Sequence, residues 1–291
     1  MSNKIINFSP GPSKLPEDVL LQVQRELLDY HGTGISVMEM SHRSPEFMKI
    51  VTDAQQNIRH LLNIPSDYTI LFMAGGGTGQ FAAVPLNLMS STGKAVYLNT
   101  GTWSSKAAKE ASKYGQVIEI KPDFKSLSND IKWDLDEDVS YFYYCANETV
   151  HGIELPFIPD TYGIPLVADI LYVMALVFQW ISEQGGVKVM EQRSAAKSQI
   201  VYEVIDNSNG FYSCPVPTSV RSRVNIPFRI LDGNEDLEKQ FVDEAKRRNM
   251  IQLKGHRSVG GIRASLYNAV TVDEVSSLAA FMNDFMKSKS Q

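Results

Sequence analysis

The chain has 291 residues, 43% of them hydrophobic and 21% charged, with 28 basic and 33 acidic side chains. This is the balance of a water-soluble globular protein with one large domain or two ordinary ones. A net charge of −5 without any basic block argues against nucleic acid as a partner. The longest apolar run, Leu166 to Ile181, is broken by Asp169 and Gln179 and predicts no membrane span. The amino-terminal stretch MSNKIINFSPGPSKLP lacks the apolar core of a secretory leader. Cys145 and Cys214, with no CxxC spacing, predict two free thiols in a reducing compartment, cytoplasmic by default.

In chain order, Pro16 suits the start of a helix with Val19, Leu20, Val23, Leu27 and Leu28 at helical spacing, and Gly32 suits its end. Residues 69–73, TILFM, read as a buried strand. A glycine cluster follows, then a helical stretch that Pro85 should kink or delay. Strands are predicted over 95–98, 116–120, 140–144 and 164–168, with a helix near 104–114. The alternation predicts an α/β fold, a mainly parallel sheet with helices on its faces. After residue 182 the rhythm changes. Helical stretches over 186–206 and 235–249 flank the strand VNIPFRI, and Thr271 with Glu274 forms a capping box for a last helix over 272–287. The predicted organisation is a large domain over 15–182 and a smaller α+β domain made of 1–14 with 183–291.

The turn Gly75-Gly76-Gly77-Thr78-Gly79-Gln80 follows a predicted strand and opens a predicted helix. Glycines let backbone approach an anion, and a helix start presents free N–H groups to a phosphate. The turn has neither the Lys-Ser/Thr of a P-loop nor dinucleotide spacing. Alone it is an ordinary turn. Together with NFSPGPSKLP, GISVMEMSHRS, CANETVHGIE and KGHRSVGGIRASLYNAV, the stretch GGGTGQFAAVPLNL resembles the phosphoserine aminotransferases. These are pyridoxal-phosphate (PLP) enzymes of fold type I, class V. The resemblance runs from Asn7 to Met286.

The resemblance implies PLP as cofactor. Its phosphate would lie against Gly77 and Thr78, where bacterial members often carry Arg in place of Thr78. Trp103 would stack on the pyridine ring, although a Trp just after a strand is otherwise a core residue. Thr149 would bond the 3′-oxygen, and Asp169 would pair with the pyridine nitrogen. A carboxylate at the carboxyl end of a parallel strand faces the ligand crevice. His42, Arg43, His256, Arg257 and Arg263 match positions that hold the substrate's phosphate and carboxylate. The implied substrates are phosphoserine, glutamate and 2-oxoglutarate, and the implied assembly is a homodimer in which His42 and Arg43 serve the partner's site. No metal site is predicted.

One residue is missing from this pattern. Transamination needs a lysine that holds the cofactor as a Schiff base and then moves a proton. In the family it stands in an Ala-Gln-Lys-Asn context after the aspartate. That context is absent here, as is the Asn-Thr pair that the neighbouring subunit contributes. Lys188 and Lys197 read as residues of a solvated helix face. The motif order predicts a gap of roughly 70 residues near Ile170 and Leu171, enough to remove several elements of average length. The junction itself has no turn former: Asp169 runs through Ile170-Leu171-Tyr172 into VMALVFQWI. A sheet shortened in this way should leave apolar helix faces uncovered. The readings that follow are an active phosphoserine aminotransferase, a shortened chain that has lost catalysis, and a gene-model error. A class-V aminotransferase acting on alanine or serine is the alternative on substrate.

Overall fold

The computed structural model describes residues 4–125, 127–128, 131–133, 135, 138–169 and 175–289. The junction at 170–171 lies outside the described residues. The chain opens with strand β1 (Ile6–Asn7) and helix α1 (Glu17–Glu26), then α2 (Pro45–Leu61), started by the Ser44 side chain accepting from Phe47 N at 3.2 Å. Helix α3 (Gly76–Leu88) starts at Gly75, whose φ of 102° belongs to the region that glycine reaches without strain.

A parallel sheet follows. Its strands are β2 (Lys94–Leu98), β3 (Gln116–Ile120), β4 (Phe142–Cys145) and β7 (Leu166–Asp169), in the order β3-β2-β4-β7. Helix α4 (Thr102–Ala111) connects β2 to β3, while the short hairpin β5 (Asn147–Glu148) with β6 (Ile153–Glu154) leaves the end of β4. Side chains alternate across the sheet as the pleat requires. Ala95, Tyr97, Tyr141 and Tyr143 pack with Phe81 of α3 and the alanines of α4. Val96, Leu98, Phe142 and Tyr144 point the other way, onto Leu127, Trp133, Leu155 and Val220.

The rest of the chain builds a second core. Helices α5 (Ala175–Glu183) and α6 (Gly186–Asp206) lead to β8 (Tyr212–Ser213), β9 (Asn225–Ile230), α7 (Glu235–Arg247), β10 (Met250–Ile251), β11 (Ile262–Ser265) and α8 (Val272–Lys289). The antiparallel sheet β11-β9-β8 packs with α6, α7 and α8 around Phe228, Phe241, Phe281 and Phe285. The expected capping box of α8 is present: Thr271 N donates to Glu274 Oε2 (2.9 Å) and Glu274 N to Thr271 Oγ1 (3.2 Å). Strand β1 crosses over to pair with β10, and Phe8 is buried in this second core.

Two expectations fail, over residues 69–73 and at the end of α1. Residues 69–73 form no strand, and Leu71, Phe72 and Met73 are exposed. A strand is stabilised by its cross-strand neighbours. Among the described residues none pairs here, and the Gln55 side chain holds Ile70 O at 3.0 Å instead. Helix α3 runs through Pro85, which is itself buried. Burial of the ring offsets the one backbone bond that proline forgoes. Helix α1 ends at Glu26, well before Gly32; Val19 is buried, while Leu20 and Val23, with Leu27 and Leu28 beyond the helix, are exposed.

Candidate active site

The site grows from the carboxyl ends of β2 and β4. Glu148, just past β4, is fully buried at the start of α4. Its carboxylate accepts from Trp103 N (2.9 Å), Ser104 N (2.8 Å) and Ser104 Oγ (2.6 Å). Negative charge on free N–H groups at a helix start is the favourable arrangement. The approach is close: a Cβ on Gly101 would lie 2.8 Å from Glu148 Cδ and 2.8 Å from His151 Cδ2, so only glycine fits there. Thr102 Oγ1, at the start of α4, and His151 Nε2, in the turn after β5, lie 2.9 Å apart.

This scaffold fixes Trp103. Its Nε1 donates to Thr149 Oγ1 at 2.9 Å, and the Lys106 ammonium sits 4.4 Å from the ring centroid. A threonine hydroxyl that accepts from an indole keeps its own proton to donate elsewhere. Trp103 and Thr149 line a cavity of about 460 Å³, together with the loop Pro10–Pro16, Val177, His256, Arg263 and Tyr267 to Ala269. Such a volume suits a small organic ligand.

Arg263, on β11, is 6% exposed. Its Nη1 donates to Thr149 O at 3.0 Å, its Nε is buried without a partner, and burial pushes its pKa below the usual guanidinium value. No carboxylate pairs with it among the described residues. A buried guanidinium with a free donor is costly unless an anion joins it. His256 contacts Ser258 Oγ through Nδ1 (2.6 Å). Partial burial, then Arg263, Arg257 and Lys106, lower its pKa, which favours the neutral ring.

Asp169, at the end of β7, accepts a hydrogen bond from Tyr143 OH at 2.9 Å. Burial raises its pKa, against the lowering effect of that bond. A carboxyl whose folded pKa lies above its unfolded one weakens the fold above that window and not below it. Asp169→Asn is therefore expected to raise Tm at pH 7 and to leave it unchanged near pH 3, below the ordinary Asp pKa of ~3.9. Thermal melts at the two pH values check this, and an equal Tm at pH 7 would refute it.

The structure thus gathers Trp103, Thr149, His256 and Arg263 around one cavity. Gly77 and Thr78, in the first turn of α3, do not line it, nor does Asp169. Arg257 is exposed, and His42 and Arg43 stand on an exposed loop before α2. Lys197 corrects the expectation of a solvated helix face: it is 2% exposed. Its Nζ donates to Leu266 O, Tyr267 O and Val270 O at 2.9, 2.8 and 3.0 Å. Glu148 and Lys197 escape a sequence reading because one stands in a polar strand end and the other in a charged helix. Among the described residues, Lys14 is the sole lysine lining the cavity, and its ammonium lies 2.6 Å from both oxygens of Glu274.

The model of the class-V aminotransferases matches residues 5–170 and again 161–278, two blocks that overlap over 161–170, around β7. Phosphoserine aminotransferase of Drosophila melanogaster is 45% identical over 359 aligned positions, which take in 97% of this chain and 99% of the fly protein. The chain belongs to the phosphoserine aminotransferase family. The fly alignment exceeds the 291 residues of this chain by 68 positions, so at least that many positions of the fly phosphoserine aminotransferase have no counterpart here. A probable phosphoserine aminotransferase of Caenorhabditis elegans is 41% identical over 97% of both chains. Among solved structures, the phosphoserine aminotransferase of Bacillus circulans subsp. alkalophilus superposes with a TM-score of 0.90 at 30% identity, covering 99% of this chain and 100% of its own. A PLP-bound phosphoserine aminotransferase from Trichomonas vaginalis gives 0.87 at 30% identity, over 96% and 100%. No helix among the described residues is long and apolar enough to cross a membrane.

Proposed function

We propose that this phosphoserine aminotransferase family member binds PLP beside Trp103, along a crevice that runs on from the cavity to Asp169 and the start of α3, with anionic amino and keto acids in the cavity itself, but does not turn them over. The family's reaction interconverts 3-phosphohydroxypyruvate and glutamate with O-phosphoserine and 2-oxoglutarate. Bound PLP supplies a ring that withdraws electrons from the amino-acid carbon. On this reading Trp103 offers its face to that ring, Thr149 donates to the 3′-oxygen and Asp169 holds the proton on the pyridine nitrogen. Gly77 and Thr78 present the start of α3 to the phosphate. Arg263, Arg257 and His256 hold substrate anions, and His42 with Arg43 reach the other subunit's site in a cytoplasmic homodimer. The division into 15–182 and 1–14 with 183–291 belongs to the same reading.

The buried, unpartnered Nε of Arg263 beside the Trp103–Thr149 pair carries the binding half of this proposal. The loss of turnover rests on lysine chemistry. Lys14 is engaged with Glu274 and Lys197 with three carbonyls, so neither has a free amine for an aldehyde. PLP titration followed by borohydride reduction and peptide mapping tests both halves. Quenching of tryptophan emission that disappears in Trp103→Phe is expected, without stoichiometric pyridoxyl-lysine. Absence of quenching would sink the binding claim. A single stoichiometric pyridoxyl-lysine would sink the claim of lost catalysis.

A further inference from the structure

Lys197 is a charged group buried without a carboxylate partner. Its three N–H bonds go to three carbonyls of a single segment, Leu266, Tyr267 and Val270. Burial pushes its pKa down to about 8, so the nitrogen is still an ammonium with three protons at pH 7. Burying an ammonium without a counter-charge is unfavourable, and an apolar residue would fill the same space without that cost. What an apolar residue cannot do is hold three carbonyls at once.

The segment it holds is the connection from β11 to α8. Leu266 directly follows β11, which carries Arg263, and Val270 directly precedes the Thr271–Glu274 capping box. Tyr267, itself gripped, and Asn268 and Ala269 between the grips are all in the cavity wall, whereas Lys197 does not line the cavity. A second fastening meets the same corner. Lys14, from the opposite rim segment Pro10–Pro16, binds Glu274, the residue that caps α8. Both rim segments are thereby tied to the start of α8.

We propose that Lys197 is a positioning residue, which locks the Leu266–Val270 connection and so pre-organises the cavity wall that continues from Arg263. This rests on the proposed reading of Arg263 as a holder of substrate anions, here tested with a dicarboxylate. A wall held in one conformation binds more tightly because less freedom is lost on binding.

The test uses the full chain with Lys197→Met, the milder Lys197→Gln, and Val201→Ala as a core control on the same helix, where Val201 is fully buried. Amide hydrogen exchange of residues 266–270 and the Kd of 2-oxoglutarate are measured for each, with Arg263→Met as a fourth variant. Both Lys197 variants should exchange at 266–270 at least about tenfold faster than the control and should weaken 2-oxoglutarate by about tenfold. Exchange at 266–270 no faster than in Val201→Ala would overturn the proposal, as would faster exchange with an unchanged Kd while Arg263→Met abolishes binding. If Arg263→Met leaves the Kd unchanged, that reading of Arg263 falls, and the lock itself is then decided by the exchange alone.

Discussion

Transamination of O-phosphoserine with 2-oxoglutarate by this chain is expected to run at least about 10⁴-fold more slowly than by a full-length relative. General acid–base catalysis by one positioned group is worth about 10²–10⁴-fold, and the same lysine also provides the covalent route. The cavity retains its aromatic wall and buried guanidinium, so the loss should fall on kcat far more than on substrate affinity. Grafting the segment of the fly protein that has no counterpart here, at the end of β7, is the decisive comparison, because the family match breaks at that point. The graft should restore turnover. Activity of the parent chain within about 100-fold of the relative would refute the assignment of catalysis to the missing segment.

The second large effect concerns Glu148. Replacing it with alanine would leave Trp103 N and Ser104 N buried without an acceptor and would strip the cap from α4. Removing one partner from a buried charged network costs about 3–5 kcal/mol. At roughly 2–4 °C per kcal/mol for a chain somewhat smaller than this, Tm should fall by about 6–20 °C. Glu148→Gln keeps an acceptor of the same length and loses only the charge at the helix start, at about 1–2 kcal/mol. Thermal unfolding followed by circular dichroism separates the two variants. A Glu148→Ala melt within about 1 kcal/mol of the parent would show that the cap is dispensable.

Much of the fold was legible because its signals are local. The strand over 116–120 falls where its β-branched alternation places it, and the capping box of α8 is written in four consecutive residues. Residues 69–73 misled for a physical reason. TILFM has the composition of a buried strand, but strand formation needs a neighbour, and that is a property of the whole sheet. At the site, Trp103, Thr149 and Arg263 could be placed together because each sits in a recognisable motif. Asp169 and the turn at Gly77 belong to the same motifs yet stand outside the cavity, since motif order does not specify distances. Glu148 and Lys197 were illegible for the opposite reason. Their partners lie 44 to 73 positions away in sequence, and a charged residue that will be buried looks like any other until the fold closes over it.

The crossing of β1 to β10 bears on what the join after β7 does mechanically. Ile6 N donates to Asn249 O (2.8 Å), Phe8 N to Ile251 O (3.2 Å), and Phe8 fills the core of the carboxyl-terminal unit. The amino-terminal end is therefore woven into the far half of the molecule, and Lys14 pins it a second time at α8. A nick between Asp169 and Ala175 would produce two polypeptides but a single particle, because the halves are stitched together non-covalently at the other end. The N-terminal strand is thus one tie among several between the two cores, beside Val220 packed on Val96 and Leu98 and Arg263 bound to Thr149.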